Sequence, residues 1–323
     1  MSAAVDLVLI GRNEGARLER ALRSAQGQAR RLVYVDSGST DGSVAAARAA
    51  GARVVELDMS VPFSAARARN AGFEAAQADD PAPFVQFIDG DCALVPGWLA
   101  AAEARLSQDI SLGLVTGWRA EIAPEASLYN RICDHEWRRP AGPIRACGGD
   151  MMVRAEAFRQ VGGFNPAVIA AEDDDFCLRL AAAGWALERL PLEMTRHDAA
   201  ITRFGQWWRR AVRAGHGFAQ VGALHPGHFR AERRRVLAYG LILPLIALIG
   251  AAHGPVVPVL VAALYALSWQ RSARGLQTEG MAPGEARAQA VFLTLSKFPN
   301  LLGMGKYWLT RLARRSPEII EYQ

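Results

Sequence analysis

Apolar, strand-like runs alternate with amphipathic helical stretches through the first quarter of this chain, and that alternation restricts the fold more than any other feature. Residues 5–10 read as a first strand. A helix follows over residues 16–25, with Leu18, Ala21, Leu22 and Ala25 on one face. Residues 31–35 form a second strand, and a helix over 44–50 is closed by Gly51. A third strand over 53–57 leads to a helix over 64–77, and 84–88 is a fourth apolar run. Strands separated by helices of this length predict an α/β fold with a mostly parallel sheet covered on both faces. Ligands in such sheets gather beyond the carboxyl ends of the strands. The 11–15 loop, Asp36 and Asp89 all fall at such ends, so one site built from several strand ends is expected.

Asp89-Gly90-Asp91 is the chemically richest of these ends. In an extended backbone, side chains two apart point the same way, which would set both carboxylates on one face. Glycine between them permits close approach of another group. Paired hard oxygen ligands suit Mg²⁺ or Mn²⁺, ions that complete their shells with water and substrate phosphates. An isolated Asp-x-Asp is more often a turn, so its weight comes from its surroundings.

Five segments together resemble the inverting glycosyltransferases of family 2: residues 36–43, Arg69-Asn70-Ala71-Gly72, Asp89-Gly90-Asp91, Val161-Gly162-Gly163-Phe164, and residues 172–180. They occur in that family's order across roughly residues 5–217. The resemblance implies a GT-A fold, a nucleoside-diphosphate sugar donor, a divalent metal and transfer of one sugar with inversion. It implies that Asp36 binds the nucleotide base, that Asp89 and Asp91 hold metal and diphosphate, and that Asp173 is the catalytic base. It also suggests His197 as a further metal or phosphate ligand, although a lone histidine is more often a structural hydrogen-bonder.

The chemistry asks for the same groups. Inverting transfer is an in-line displacement with an oxocarbenium-like transition state. One carboxylate takes the acceptor's proton, and cations stabilise the departing diphosphate. Arg69 is a candidate for binding the diphosphate or ordering the site, against a solvated helix face. Asn13 and Glu14 of the 11–15 loop, with Ser37, complete the expected donor side. For Asp36 the competing reading is an N-cap or turn. For the acids at 172–175 it is a helix start, where negative charge favours the dipole; crowding, though, would move Asp173 toward the working range of a base. Asp175 and Arg179 have the spacing of an intrahelical pair. Gly149, Asp150, Glu172, and the turn at 162–164 are expected on the acceptor side. Gln206, Trp207 and Arg209 are similar to the Gln-x-x-Arg-Trp motif of processive synthases, but Arg210 stands where tryptophan is expected. An interfacial amphipathic helix explains that segment equally.

Charge is uneven along the chain. Residues 230–323 carry 12 Lys/Arg and 5 Asp/Glu in a chain of net charge +5, so the first 229 residues are slightly acidic. A basic tail without any nucleic-acid motif favours anionic lipid over nucleic acid. The uncharged runs 236–252 and 256–269, flanked by arginines, are each slightly short for a bilayer span of about 17–25 residues. A two-helix anchor or re-entrant hairpin is expected, against a buried soluble hairpin. The arginines at its outer ends, and the lack of a basic n-region before the first strand, point to the cytoplasmic face of the inner membrane. The stretch 288–309 reads as interfacial. Four cysteines without Cys-x-x-Cys spacing favour neither zinc nor a disulfide framework.

The expected organisation is therefore a catalytic domain over 1–229 and a basic, apolar helical region over 230–323. The expected activity moves a sugar, from a UDP-sugar by family frequency, to a glycan or lipid-linked acceptor in envelope or exopolysaccharide synthesis. A sugar nucleotidyltransferase is disfavoured because the 11–15 loop lacks the glycine- and arginine-rich opening of such enzymes, and a dehydrogenase because Gly-x-Gly-x-x-Gly is absent. A catalytically idle sugar-nucleotide-binding subunit would show an altered metal pair or a missing base, and neither is seen.

Overall fold

In the computed structural model of the chain, which describes residues 4–313, strand β1 (Val5–Gly11) is the centre of a parallel half-sheet. Helix α1 (Ala16–Ala25) leads to β2 (Arg31–Asp36), α2 (Ser43–Ala49) to β3 (Arg53–Glu56), and α3 (Ala65–Gln77) to β4 (Phe84–Asp89). β1 pairs in parallel with both β2 and β4, and β3 extends the sheet beyond β2. Val5, Leu7, Val8 and Leu9 are fully buried because helices cover both faces, which is why β1 reads as a continuous apolar run. α1 buries Leu18, Ala21, Leu22 and Ala25, the face expected from their spacing. Ser64 caps α3 by accepting the Arg67 N–H at 3.2 Å, an interaction of about 1 kcal/mol. Gly72 then lets α3 lie against the sheet, since a Cβ there would sit 2.3 Å from Val8 Cγ1.

Beyond Asp89 the sheet becomes mixed. The elements are β5 (Cys92–Leu94), α4 (Trp98–Gln108), β6 (Leu112–Glu121), α5 (Leu128–Trp137), β7 (Gly142–Pro143), β8 (Met151–Arg154), α6 (Ala155–Gln160), α7 (Glu172–Ala182) and β9 (Ala186–His197). Strand order is β3-β2-β1-β4-β8-β6-β9-β5, with β7 on β9. β8 runs antiparallel between β4 and β6, and β5 runs antiparallel to β9 with Cys92 opposite His197. These pairings join segments far apart in sequence around the end of β4. All four cysteines are free and buried.

The chain divides into two compact units, Met1–Ala200 and Ile201–Gln323. The division falls before the boundary expected near Phe229. Helix α8 (Phe204–Leu224) belongs with the second unit, beside α9 (Arg230–Leu237), α10 (Leu243–Ala251), α11 (Val256–Thr278), α12 (Pro283–Leu295) and α13 (Lys297–Leu312). The reason is a glycine interlock between α8 and α13. A Cβ at Gly215 would lie 2.1 Å from the Asn300 carbonyl oxygen, and one at Gly303 1.9 Å from that of Val212.

A five-residue π-helical segment, Ala238–Ile242, joins α9 to α10 without ending the helix. The apolar helices therefore span Arg230–Ala251, 22 residues, and Val256–Thr278, 23 residues, with only 17% and 11% of their apolar windows buried. Both reach the length of a bilayer span. The sequence runs looked short because each helix continues through flanking charged or polar residues.

Candidate active site

The donor side is stitched from the ends of β1 and β2. Asp36, 3% exposed, accepts the N–H groups of Gly38 at 2.9 Å and Ser39 at 2.8 Å through Oδ2, and the Tyr34 hydroxyl at 3.1 Å through Oδ1. Its backbone contacts are thus turn chemistry, not an N-cap, since α2 begins at Ser43 behind Gly42. Asn13 adopts φ 55°, accepts the Thr40 N–H at 2.7 Å through Oδ1, and donates its own N–H to Ser39 Oγ at 2.9 Å. Ser37 donates its N–H to Gly11 O at 3.0 Å. Glu14 folds over two glycines: a Cβ at Gly11 or Gly90 would lie 3.0 or 3.1 Å from Glu14 Cγ. Burial, followed by the Asp91 charge, pushes the Glu14 carboxyl up to about 7.

Arg69, on α3 and 2% exposed, is the hub of the site. Its Nη2 donates to Asp89 Oδ1 at 2.7 Å and its Nη1 to Glu172 Oε1 at 2.8 Å. Of the two roles open to it, the geometry gives site ordering, because both terminal nitrogens are engaged by carboxylates. Glu172 is corrected in the same way: expected on the acceptor side, it faces Arg69 and is 5% exposed. Gly149, also expected on that side, packs on Arg69. A Cβ there would lie 1.9 Å from Arg69 Nη2, so the glycine makes room for the guanidinium, as Gly148 does for Arg119, 2.6 Å from its Nη2. The next residue on α3, Asn70, clamps the backbone of Phe164 with bonds of 2.8 Å in both directions. The 162–164 turn is therefore a packing anchor, with Phe164 stacked on Phe176 at 4.3 Å, and not a wall of the acceptor side.

The acidic pair is not one extended run. β4 ends at Asp89, the chain turns at Gly90, whose N–H donates to Ile10 O at 2.8 Å, and β5 starts at Cys92. The turn gives the two carboxylates different partners, where one shared face of an extended strand was expected. Asp89 goes to Arg69, and Asp91 goes to His197, whose Nε2 is 3.1 Å from Asp91 Oδ2. Asp91, Cys92 and His197 offer donor atoms within 4.8 Å of one another, as do Asp89, Cys92 and Asp150. Asp150 is already engaged. Its Oδ2 accepts the Thr195 hydroxyl at 2.6 Å and Arg119 Nε at 3.2 Å, and its Oδ1 accepts the Asp89 N–H at 3.2 Å. It is a strut between β4, β6 and β9, and it also lines the cavity beside Asp173, the side on which it was expected. Burial, then the Asp150 charge, pushes the Cys92 thiol well up, and soft sulfur suits neither Mg²⁺ nor Mn²⁺. Carboxylate oxygens with an imidazole nitrogen fit Mn²⁺, and the carboxylates alone fit Mg²⁺. His197 Nδ1 is buried with no hydrogen-bond partner. Burial opposes the charged imidazole, but Asp91 outweighs it and raises the pKa.

The base side starts at α7, entered through Ala171 at φ 60°. Its four acids fall into three environments. Glu172 meets Arg69; Asp175 pairs with Arg179 at 2.9 Å, as expected; Asp173 and Asp174 line a cavity of about 410 Å³. Asp173 is pushed up to about 8, first by burial and then by Glu172 and Asp174. Thr116, Arg119, Trp137, Cys147, Gly148, Asp150 and Arg189 share that cavity. Such a group can hold a hydroxylated ligand and take its proton. Arg119, Trp137 and Thr195 escaped the sequence reading because they stand on β6, α5 and β9 outside any motif.

Gln206, Trp207 and Arg209 lie on α8 in the second unit. Gln206 Oε1 accepts the N–H groups of Thr202 at 3.1 Å and Arg203 at 3.0 Å, a capping role. Trp207 is 5% exposed and packs edge-on against Phe292 at 5.0 Å, while Arg209 is exposed.

Comparison with known proteins places this geometry. Residues 6–162 match the model described as Glycosyl transferase family 2, and residues 132–200 a model described as N-terminal domain of galactosyltransferase. A pre-mycofactocin glycosyltransferase of Mycobacterium tuberculosis is 27% identical over 288 residues, covering 85% of this chain. The chain spans only 59% of that relative's length. A TPR repeat-containing protein of Synechococcus elongatus is 32% identical over 130 residues, 40% of this chain and 30% of its own length. Among solved structures, the mannosyltransferase PcManGT from Pyrobaculum calidifontis in complex with GDP-Man and Mn²⁺ superposes with a TM-score of 0.65. It is 20% identical and covers 94% of this chain and 87% of that one, a likeness that shows the GT-A fold.

Proposed function

Given that the chain carries a glycosyltransferase family 2 domain on a GT-A fold, we propose that it is a metal-dependent inverting enzyme using a nucleoside-diphosphate sugar. The observation that carries this reading is the Arg69 bridge, which ties Asp89 on the donor side to Glu172 beside Asp173 on the acceptor side. One guanidinium thereby fixes the two halves of a displacement relative to each other.

Asp91 and His197, with Asp89, are the residues that would hold Mn²⁺ or Mg²⁺, and the ion would neutralise charge on the leaving diphosphate. Asp36, Ser37, Asn13 and Glu14 form the nucleotide-facing loops. Asp173 accepts the proton of the acceptor hydroxyl as its oxygen bonds to the anomeric carbon. The bond from that carbon to the phosphate oxygen breaks, and its electron pair leaves on the nucleoside diphosphate. Attack opposite the leaving group inverts the configuration. A pKa raised toward the working range suits a group that must take a proton in the transition state and release it afterwards.

A uridine nucleotide is the first choice of donor, with guanosine as the rival because the fold neighbour is described in complex with GDP-Man. The proposed acceptor is a glycan or lipid-linked molecule in envelope or exopolysaccharide synthesis. Attachment to the cytoplasmic face of the inner membrane is proposed from the two exposed apolar helices and the arginines at 230 and 233–235. A donor screen over UDP- and GDP-sugars, with membranes as acceptor and nucleoside diphosphate release as readout, tests the reading. Release from no donor, with or without Mn²⁺, would refute it.

A further inference from the structure

One wall of the cavity beside Asp173 has no part in the transfer chemistry. Arg139 and Arg189 line it together with Arg119. Asp150 neutralises Arg119 at 3.2 Å. Among the described residues, neither Arg139 nor Arg189 has an ion-pair partner. Arg189 Nε is buried and unbonded, and its Nη1 reaches only the Pro140 carbonyl at 3.4 Å, a weak contact. Burial, then the charges of Arg139 and Arg119, disfavour the charged form of Arg189. The backbone keeps it there regardless: Arg189 lies on β9 between Thr116 of β6 and Gly142 of β7. Arg139 is held as well, since its carbonyl accepts the Trp118 Nε1–H at 2.7 Å.

Like charges gathered in a partly buried cavity are unfavourable until an anion compensates them. A guanidinium presents its N–H groups as a fork that matches carboxylate or phosphate. We propose that Arg189 and Arg139 form a subsite for an anionic group, a carboxylate or phosphate, on the acceptor molecule. This rests on the reading above in which Asp173 faces the acceptor. Glu136, Asp173 and Asp174 line the same cavity and repel an anion. The acceptor is therefore oriented with its charge toward Arg189 and a hydroxyl toward Asp173. The cavity of about 410 Å³ falls within the range of small-molecule sites, about 300–1,000 Å³.

The test uses the full chain saturated with Mg²⁺ and nucleoside diphosphate, so that the donor side is filled. Three probes share a phenyl group: phenyl β-D-glucuronide, phenyl phosphate and the uncharged phenyl β-D-glucoside. Their affinities are measured by titration calorimetry. A charge-assisted contact corresponds to roughly tenfold or more in affinity. At least one anionic probe should therefore bind roughly tenfold or more tightly than the glucoside, and which one does so separates a carboxylate from a phosphate. Arg189→Gln should remove most of that preference and the exposed Arg139→Gln part of it, while Arg189→Lys should keep some. Equal binding of all three probes, or a preference that survives both glutamine variants, would overturn the subsite. Donor turnover in the unmodified chain without probes is read separately. Its absence alongside an intact anion preference would refute the transferase reading and leave the anion subsite standing.

Discussion

Gly149→Ala is a sharp test of the Arg69 bridge, because it alters neither an ion pair nor a group that touches substrate. A Cβ at Gly149 would lie 1.9 Å from Arg69 Nη2 and 2.7 Å from its Cζ, where ordinary contact begins near 3.4 Å. A flexible arginine on the surface would move aside. Arg69 is 2% exposed and fixed by Asp89 at 2.7 Å and Glu172 at 2.8 Å, so moving it breaks at least one buried pair. An uncompensated buried charge costs about 3–5 kcal/mol. For a unit of this size each kcal/mol lowers Tm by about 2–4 °C, so a fall on the order of 10 °C is expected. Thermal unfolding of Gly149→Ala, Arg69→Gln and the double variant forms a cycle that isolates the coupling. With Arg69 already shortened, the added methyl meets no guanidinium, and the second substitution should cost less than about 1 kcal/mol. Strictly additive costs, or a Gly149→Ala variant that melts with the unmodified chain, would refute the reasoning.

Asp173→Asn should lower kcat by about 10²–10⁴-fold while donor affinity persists; turnover within about threefold of the unmodified chain would remove Asp173 as base. Because burial and Glu172 raise Asp173 to about 8, its base form grows as pH rises, so acceptor-dependent turnover should climb through that pH and flatten above it. A flat profile between pH 6 and about 9 in the unmodified chain would contradict this. Asp91→Asn and His197→Gln should each weaken metal-dependent donor binding, read by calorimetry with and without Mn²⁺; unchanged metal dependence in both would exclude them as ligands. The full chain should float with vesicles containing anionic lipid and be released from them only by detergent. Behaviour as a monodisperse soluble protein without detergent would count against the anchor.

Local pattern determined much of this protein. The face of α1, the ends of β1, β2 and β4, and the run of acids opening α7 are all legible, because helical and strand periodicity is a property of neighbouring residues. The Asp175–Arg179 pair follows from spacing alone. The chemistry of individual carboxylates is not local in this way. Asp89 and Asp91 are two residues apart, yet a turn at Gly90 gives one to Arg69 and the other to His197. Arg69 reaches Glu172 across 103 residues of sequence, and Thr195 reaches Asp150 across 45. Those contacts exist because β8 inserts antiparallel beside β4, and β5 beside β9. Pairing partners of that kind are selected by the assembled sheet and carry no signature in either strand. The same holds for Gly149, whose lack of a side chain has meaning only once the Arg69 guanidinium occupies the space, and for α8, assigned to the second unit by its glycine interlock with α13. Residue types and strand ends are thus written in the chain, whereas the division of labour among its carboxylates arises only when distant strands pair.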